Sequence, residues 1–196
     1  MSYSVAPHLK YFTVPFADFA DARPEFDAFG VGAFIFSRDR VLLLQRAFTD
    51  SMPGCWEGPG GASEPEEDGT LLDGVVREVL EESGLHVTRI IELVAVDCWE
   101  HHRRSGGKMR IAKYSFIVDV RETRNSLEEQ LSPLEIPVQL ADTEHQAFDW
   151  ASEEEVQLSV ESKGRYQFPL LSVSQQSTNI LRAFELRRSN SESDLA

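Results

Sequence analysis

The sequence predicts a single α/β domain, and three observations support this fold class. Short runs of apolar and β-branched residues, bounded by glycine, proline or charged residues, have the length of β-strands. The segment that ends at Leu85 has instead the period of an amphipathic helix. The 196-residue chain contains no internal repeat and no second apolar centre, and its length is sufficient for one sizeable core.

The first half of the chain predicts an arm followed by a β-hairpin. Residues 1–28 carry three prolines and scattered aromatic side chains, and we expect them to form an extended arm packed on the domain. The apolar runs at 29–36 and 41–46 are separated by Ser-Arg-Asp-Arg, a pattern typical of a hairpin. A loop over 47–54 then leads to a turn at Trp56–Gly61 and to an acidic helix.

The second half predicts two long strands, a loop, a short strand and two helices. In chain order these are strands over 86–98 and 109–120 around a Gly-Gly turn, a loop over 121–142, a strand over 148–150, a helix opened by a capping box at Ser152 and Glu155, and a final helix over 175–188. We expect residues 189–196 to form a flexible tail. The domain is therefore assigned to residues 29–188.

The composition limits the possible functions. A hydrophobic fraction of 41% and a charged fraction of 27% are typical of a soluble globular protein. The formal net charge of −14 argues against binding a nucleic-acid polymer, but a small phosphorylated substrate is compatible with it if a bound cation supplies positive charge. The two cysteines form neither a disulfide framework nor a metal quartet, and we find no signal peptide and no membrane span. We therefore expect a cytoplasmic protein.

The segment Arg77–Leu85, with the sequence REVLEESGL, carries the candidate chemistry. Glu78, Glu81 and Glu82 have the spacing that brings them to one side of a helix, and Gly84 fits the left-handed position after its last turn. Each like-charged pair at this spacing costs roughly 0.2–0.5 kcal/mol. A divalent cation would turn that repulsion into coordination. The other interpretation of the pattern is an acidic helix face exposed to solvent.

The residues before this segment add a glycine turn and an acidic run, Pro59-Gly60-Gly61 and Glu64–Asp68. Together with REVLEESGL they resemble the signature of the Nudix hydrolases, which is Gly, five residues, Glu, seven residues, then Arg-Glu-apolar-x-Glu-Glu-x-Gly-apolar. The second half matches at every specified position, but nine residues rather than seven separate Glu67 from Arg77. We interpret this as a two-residue insertion before the helix. It leaves open which acid replaces the first Glu of the signature: Glu64, Glu66, Glu67 or Asp68.

The resemblance covers about Phe29 to Val156 and implies a mixed β-sheet sandwiched between α-helices (α/β/α). It also implies hydrolysis of a diphosphate linkage with Mg²⁺ or Mn²⁺. Carried over by position, the metal ligands are Glu78, Glu81, Glu82 and the carbonyl of Gly61, and Arg77 orients the glutamates through its two-pronged guanidinium.

A further acid is expected from a distant loop, and the general base is a related question. Glu144 lies shortly before a predicted strand that ends in a tryptophan, and we favour it over Glu128, Glu129 and Glu135. The general base is either Glu81 or Glu144, and the sequence does not decide between them.

Candidate substrate contacts come from the two long strands. Trp99 and Arg103 lie in the run WEHHRR, which either stacks a base and binds phosphate or forms a solvated hairpin, and Lys113 lies on the returning strand. The leading hypothesis for the substrate is a nucleoside di- or triphosphate or a nucleotide derivative. The alternatives are the same chemistry on a prenyl-type diphosphate and a binding module of this fold without turnover. The sequence does not predict an oligomeric state.

Overall fold

The computed structural model describes residues 3–49, 51–102, 106–169 and 175–193. Within these residues the strands are β1 (Ser4–Val5), β2 (Ala28–Ser37), β3 (Arg40–Arg46), β4 (Trp56–Glu57), β5 (Val87–His102), β6 (Lys108–Val120) and β7 (His145–Ser152). They form one mixed sheet in the order β1-β5-β6-β2-β3-β4, and β7 pairs with β3. The β1–β5 and β2–β6 pairs are parallel, and the remaining pairs are antiparallel.

The α-helices are α1 (Phe16–Asp21), α2 (Leu71–Ser83), α3 (Glu153–Val160) and α4 (Gln176–Ser193), and short 3₁₀ helices cover Pro7–Thr13, Arg121–Thr123 and Pro133–Glu135. Apolar side chains alternate between the two faces of β2, so the sheet has a core on each side. Val31 and Ile35 pack in the core that contains the apolar side of α2. Phe34 and Phe36 pack in a second core with Ile180 of α4. Helices therefore cover both faces of a mixed sheet, as the family resemblance implies.

The feature of the fold that positions the candidate site is the separation of β2 from β3. The two strands pair only beside their hairpin, at Phe36 with Val41 and at Ser37 with Arg40. The vacated edge of β2 is taken by the glycine turn, which we define as residues 58–61. Its carbonyls accept hydrogen bonds from β2, at 2.8 Å from Ala33 N to Pro59 O and 2.9 Å from Val31 N to Gly61 O. The backbone of the turn is thereby fixed beside the sheet.

Several predicted elements are confirmed with longer bounds. The hairpin of β2 and β3 forms as expected, and the two long strands extend over 87–102 and 108–120. The capping box at Ser152 is present, because its hydroxyl accepts the N–H of Glu155 at 3.2 Å. Within the described residues no helix is both long enough and apolar enough to cross a membrane.

The two ends of the chain differ from the expectation. About half of the described N-terminal arm is helical rather than extended, and its helical turns bring the buried side chains of Phe12, Phe16 and Phe19 into the core. The final helix continues to Ser193, so residues 189–193 are helical rather than a flexible tail. The sequence after 176 contains no glycine or proline that would end the helix earlier. Residues 194–196 lie outside the described part of the chain.

Candidate active site

Helix α2 is closed at both ends by local interactions. At its start, the Thr70 hydroxyl accepts the N–H of Asp73 at 3.2 Å, and the Asp73 carboxylate accepts the N–H of Thr70 at 2.8 Å. At its end, Gly84 has φ of 69°, and its N–H donates to the carbonyl of Leu80 at 2.9 Å. A residue with a side chain rarely adopts this φ. The glycine therefore fixes where the helix stops, directly after the glutamates.

The three glutamates of α2 do not share one environment. Glu78 and Glu82 are buried, whereas 55% of the Glu81 side chain is exposed. The sequence places all three on one polar face, but tertiary packing divides that face. Two carboxylates point beneath the glycine turn, and the third lies at the surface.

The glycine turn contacts both buried carboxylates closely. The N–H of Gly60 donates to Glu82 Oε2 at 2.7 Å. A Cβ on Gly61 would lie 2.7 Å from each carboxylate oxygen of Glu78, which is closer than real Cβ atoms approach. The predicted ligand atom, the carbonyl oxygen of Gly61, accepts the N–H of Val31 at 2.9 Å and so points to β2. Because neighbouring carbonyls alternate in direction along an extended segment, we expect the carbonyl of Gly60, rather than that of Gly61, to face α2.

Arg77 connects the acids, and Asp68 is the buried partner that holds it. Its Nε and Nη2 donate to the two Asp68 oxygens, each at 3.1 Å. Its Nη1 donates to Glu78 at 2.9 Å and to Glu81 at 3.0 Å, as expected for a residue that orients the glutamates. Within the run Glu64–Asp68, Asp68 is therefore the acid that the structure joins to Arg77. The insertion is accommodated as a turn, in which the Asp68 carboxylate also accepts the N–H of Glu64 at 2.7 Å.

The pKa values of the two buried acids of α2 are raised above the usual range of a glutamate. Burial, together with the charges of Glu78 and Glu57, raises the pKa of Glu82 to about 8. Burial also raises the pKa of Glu78, and the charges of Glu81 and Glu144 add to this effect. Hydrogen bonding to Asp68 and the charge of Glu78 raise the pKa of Arg77, which therefore stays charged. The positive charges of the protein do not fully offset the negative charge of these buried carboxylates. A cation would therefore bind favourably here.

Two residues outside the predicted set, Glu57 and His145, complete the buried part of the site. His145 is almost fully buried, with Nδ1 4.0 Å from Glu82 Oε1 and Nε2 3.9 Å from Glu57 Oε1. These distances exceed hydrogen-bond range, and neither ring nitrogen has a hydrogen-bond partner among the described residues. Burial raises the pKa of Glu57, but His145, Lys113 and the ion pair with Arg46 outweigh it, so that the pKa is lowered.

The other predicted site residues are only partly brought together. Glu144 is exposed at the start of β7, near enough for its charge to raise the pKa of Glu78. Lys113 lies along Gly32, whose Cβ would be 3.0 Å from Lys113 Cε, and its charge lowers the pKa of Glu82. Trp99 is on β5 opposite Ile111, and no contact joins it to the acids among the described residues. Arg103 lies outside the described residues.

The donor chemistry of the site fits a hard divalent cation, although its side chains are not assembled around one. Carboxylate and carbonyl oxygens are the ligands that Mg²⁺ prefers, and Glu78 and Glu82 are buried acids with raised pKa values. Within the described residues no group of three His, Cys, Asp or Glu side chains forms a ready metal site. The reason is visible in the contacts: Arg77 holds Glu78 and Glu81, and Gly60 holds Glu82.

The sequence marks some of the site residues that lie outside the predicted set. Glu57 directly precedes the glycine turn, and His145 directly follows Glu144, so proximity to a motif would have found both. Gly60 belongs to the same turn as the predicted Gly61. No pattern marks Asp97, which lies opposite Lys113 and accepts a hydrogen bond from Asn179 of α4 at 2.6 Å. Only the tertiary fold brings that pair together.

The comparisons with known proteins agree on one family. The family model described as "NUDIX domain" matches residues 27–171. The human protein "m7GpppN-mRNA hydrolase NUDT17" is 41% identical over 92 residues, which are 45% of this chain and 27% of that protein. The chain thus spans less than a third of this relative. "CTP pyrophosphohydrolase" of Escherichia coli is 32% identical over 126 residues, which are 64% of this chain and 76% of that protein.

Solved structures show the same fold. The solution structure of the E. coli ORF135 protein is 26% identical, with a TM-score of 0.51, and the match covers 83% of this chain and 91% of that one. The NUDIX domain of Shewanella oneidensis NrtR is 18% identical, with a TM-score of 0.55 over 87% of this chain and 97% of that one. The second likeness concerns the fold alone.

Proposed function

This chain belongs to the NUDIX family, and from that premise we propose that it hydrolyses a phosphoanhydride bond in a nucleoside di- or triphosphate or a related nucleotide. The observation that carries the proposal is the pair of buried carboxylates, Glu78 and Glu82, held against the glycine turn with raised pKa values. Burying a carboxylate without enough nearby positive charge or hydrogen bonds lowers the stability of the fold, so such acids are candidates for a functional role.

We assign Glu78, Glu82 and the carbonyl of Gly60 or Gly61 to cation binding, with Glu81 as the further ligand from α2. A bound Mg²⁺ or Mn²⁺ would supply Lewis-acid activation of water and offset the charge of the phosphate oxygens. Arg77 keeps Glu78 and Glu81 in place through hydrogen bonds of 2.9 Å and 3.0 Å. Asp68 in turn fixes Arg77, so the geometry of the ligands depends on a residue that contacts neither cation nor substrate.

The proton of the attacking water is taken by Glu81 or Glu144, as the two exposed acids beside the buried pair. Their exposure suits this role, because a base must exchange its proton with solvent after each turnover. A Glu81→Gln and a Glu144→Gln variant separate the candidates. At saturating Mg²⁺, loss of the base should lower kcat by about 10²–10⁴-fold. Loss of a cation ligand alone should mainly raise the Mg²⁺ concentration that the reaction needs, and loss of a substrate contact should mainly raise KM.

Lys113 is the proposed phosphate contact on the substrate side. Its stem lies over Gly32, and its ammonium is close enough to affect the pKa of Glu82, Glu57 and Asp97. No hydrogen bond or ion pair occupies this ammonium among the described residues of the chain. A positive charge that faces an acidic metal site can bind a substrate phosphate that the cation leaves exposed.

The names of two relatives support a nucleotide as the substrate. The E. coli relative is named for CTP, and the human relative is named for the m7GpppN end of mRNA. The net charge of −14 favours a small nucleotide over a polymer as the substrate of this chain. A prenyl-type diphosphate has no observation in its favour among the described residues, and it enters the test below as a comparison.

The experiment measures phosphate or pyrophosphate release from CTP, the other nucleoside triphosphates, ADP-ribose, the dinucleotide m7GpppG and a prenyl diphosphate. Each reaction is run with Mg²⁺ and with chelator. Wild type is compared with Glu82→Gln and with Glu154→Gln, an exposed acid on α3 that serves as a matched control. We expect Mg²⁺-dependent turnover of a nucleotide that falls by at least about 10²-fold in Glu82→Gln only. Turnover of the prenyl diphosphate alone, or of nothing in the panel, would contradict the proposal.

A further inference from the structure

A second cavity lies on the α4 side of the sheet and shares no residue with the candidate active site. Its volume is about 440 Å³, within the range of small-ligand sites. We call it the arginine cavity, because its lining includes Arg89 of β5, Arg124 of the following loop and Arg187 of α4. Three separate parts of the chain thus bring positive side chains to one concave surface.

The charge of this cavity is opposite to that of the whole chain. Three arginines line it together with one carboxylate, Asp119, whereas the chain has a formal net charge of −14. Arg89 lies opposite Asp119 in the β5–β6 ladder, so one of the three positive charges has a near neighbour of opposite sign. Burial raises the pKa of Asp119 even though Arg124, Arg89 and Arg187 lower it. The cavity therefore keeps an excess of positive charge.

Two of the three arginines, Arg89 and Arg124, retain side-chain donors that have no partner among the described residues. Arg124 donates from Nη1 to the carbonyl of Glu128 at 2.8 Å, and a guanidinium has five donor hydrogens in all. The Arg89 side chain makes no hydrogen bond and no ion pair within 4.0 Å with any residue that the structure describes. Arg187 is held in place, because its guanidinium lies 4.8 Å from the centre of the Phe36 ring and it also bonds to the carbonyl of Arg38. One fixed and two adaptable guanidiniums suit a multidentate anion.

Part of the cavity lining, which we call its floor, is apolar. Phe36, Ile91 and Ile117 line it, and they belong to the core between the sheet and α4 or pack against it. A simple inorganic ion would leave this floor uncovered. The lining therefore matches a molecule with an apolar or aromatic body and an anionic group.

We propose that the arginine cavity binds a small organic phosphate of mononucleotide size, at a site separate from the acids of α2. The phosphate contacts Arg89 and Arg124, and the body of the ligand lies on the apolar floor. This inference does not depend on the proposed function, because none of its residues takes part in the candidate chemistry. It can therefore fail or hold independently of any enzymatic result.

The test uses CMP as the probe, with the full chain in chelator, and measures binding by calorimetry. We expect wild type to bind CMP with a Kd below about 1 mM. Arg89→Ala and Arg124→Ala should each weaken binding by about tenfold or more, since each removes a charge-assisted hydrogen bond. Arg121→Ala is the matched control: it removes a nearby exposed arginine that does not line the cavity, and binding should be unchanged. Inorganic phosphate should compete, but more weakly than CMP.

The remaining outcomes decide against the proposal. Equal weakening in Arg121→Ala and Arg89→Ala would indicate diffuse surface charge rather than a site. Binding that is altered by Glu82→Gln but not by Arg89→Ala or Arg124→Ala would place CMP at the α2 acids. No heat of binding up to about 10 mM CMP would also overturn the inference. Arg89 and Arg124 are exposed, so their replacement should preserve the fold, and circular dichroism checks this for each variant.

Discussion

Replacing Glu82 by glutamine should stabilise the folded protein, by an amount that grows as the pH rises. Glu82 is buried, and its pKa is raised to about 8 by burial and by the neighbouring charges of Glu78 and Glu57. In the unfolded chain a glutamate ionises at about 4.3. Between these two values the folded state holds a proton that the unfolded state has lost. The free energy of unfolding of the wild type therefore falls as the pH rises through this interval.

The size of the effect follows from the two pKa values. From pH 5 to pH 8, ionisation of Glu82 in the unfolded chain lowers the wild-type free energy of unfolding by about 3 kcal/mol. Only 5% of the Glu82 side chain is exposed, so screening by solvent reduces this value little. Glutamine does not titrate, and its carbonyl can still accept the N–H of Gly60. In a domain of this size the melting-temperature difference between Glu82→Gln and wild type should widen by roughly 6–12 °C over that range.

The assay is thermal unfolding at pH 5, 6, 7 and 8 in chelator, with Glu81→Gln as the control from the same helix. The Glu81 side chain is 55% exposed. The melting-temperature difference between Glu81→Gln and wild type should therefore vary by no more than about 2 °C across the series. Added Mg²⁺ should raise the melting temperature of wild type at pH 8 more than that of Glu82→Gln, since the cation binds the ionised carboxylate. A wild-type to Glu82→Gln difference that is constant from pH 5 to pH 8 would refute the reasoning.

Three further predictions concern the residues around the acids. Asp68→Ala should destabilise the fold by about 3 kcal/mol in denaturant unfolding, because it leaves Arg77 partly buried without its main partner; a loss below about 0.5 kcal/mol would show that another acid of the turn has this role. Gly61→Ala should weaken Mg²⁺ binding by at least about tenfold in a titration, since its Cβ displaces the Glu78 carboxylate, and unchanged affinity would contradict the contact. His145→Leu should shift the acid limb of the pH–rate profile upward, because it removes the imidazole between two buried carboxylates; an unchanged profile would assign His145 to packing alone.

Local patterns predicted the elements of the fold better than its ends. The hairpin, the two long strands and the capping box at Ser152 depend on neighbouring residues, and the structure contains each of them. The N-terminal arm has no helical pattern that we could find in the sequence, and its helical turns bury Phe12 and Phe19 in the core. Tertiary burial of a few aromatic rings decides its conformation, and a sequence read one segment at a time does not contain that information.

The candidate site shows the same division between local and tertiary information. The spacing of Glu78, Glu81 and Glu82 predicted a polar face but not which acids are buried, since the glycine turn that covers two of them is held by β2. The sequence does not decide which of the four acids in the run Glu64–Asp68 contacts Arg77, for a similar reason. Inserting two residues changes the path of the loop, and only the completed turn shows that the Asp68 carboxylate returns to Arg77.

The contacts of Arg77 also explain why the acids of α2 can stay close together before a cation binds. Its guanidinium donates to Asp68, Glu78 and Glu81 at once, so one positive charge is shared by three carboxylates. Asp68 is the most deeply buried of the three, and its position fixes the orientation of the guanidinium. A cation that draws Glu78 and Glu81 away would leave Arg77 bound to Asp68. The path of the chain before the helix, which returns the Asp68 carboxylate to Arg77, therefore gives Arg77 a partner that does not depend on Glu78 or Glu81.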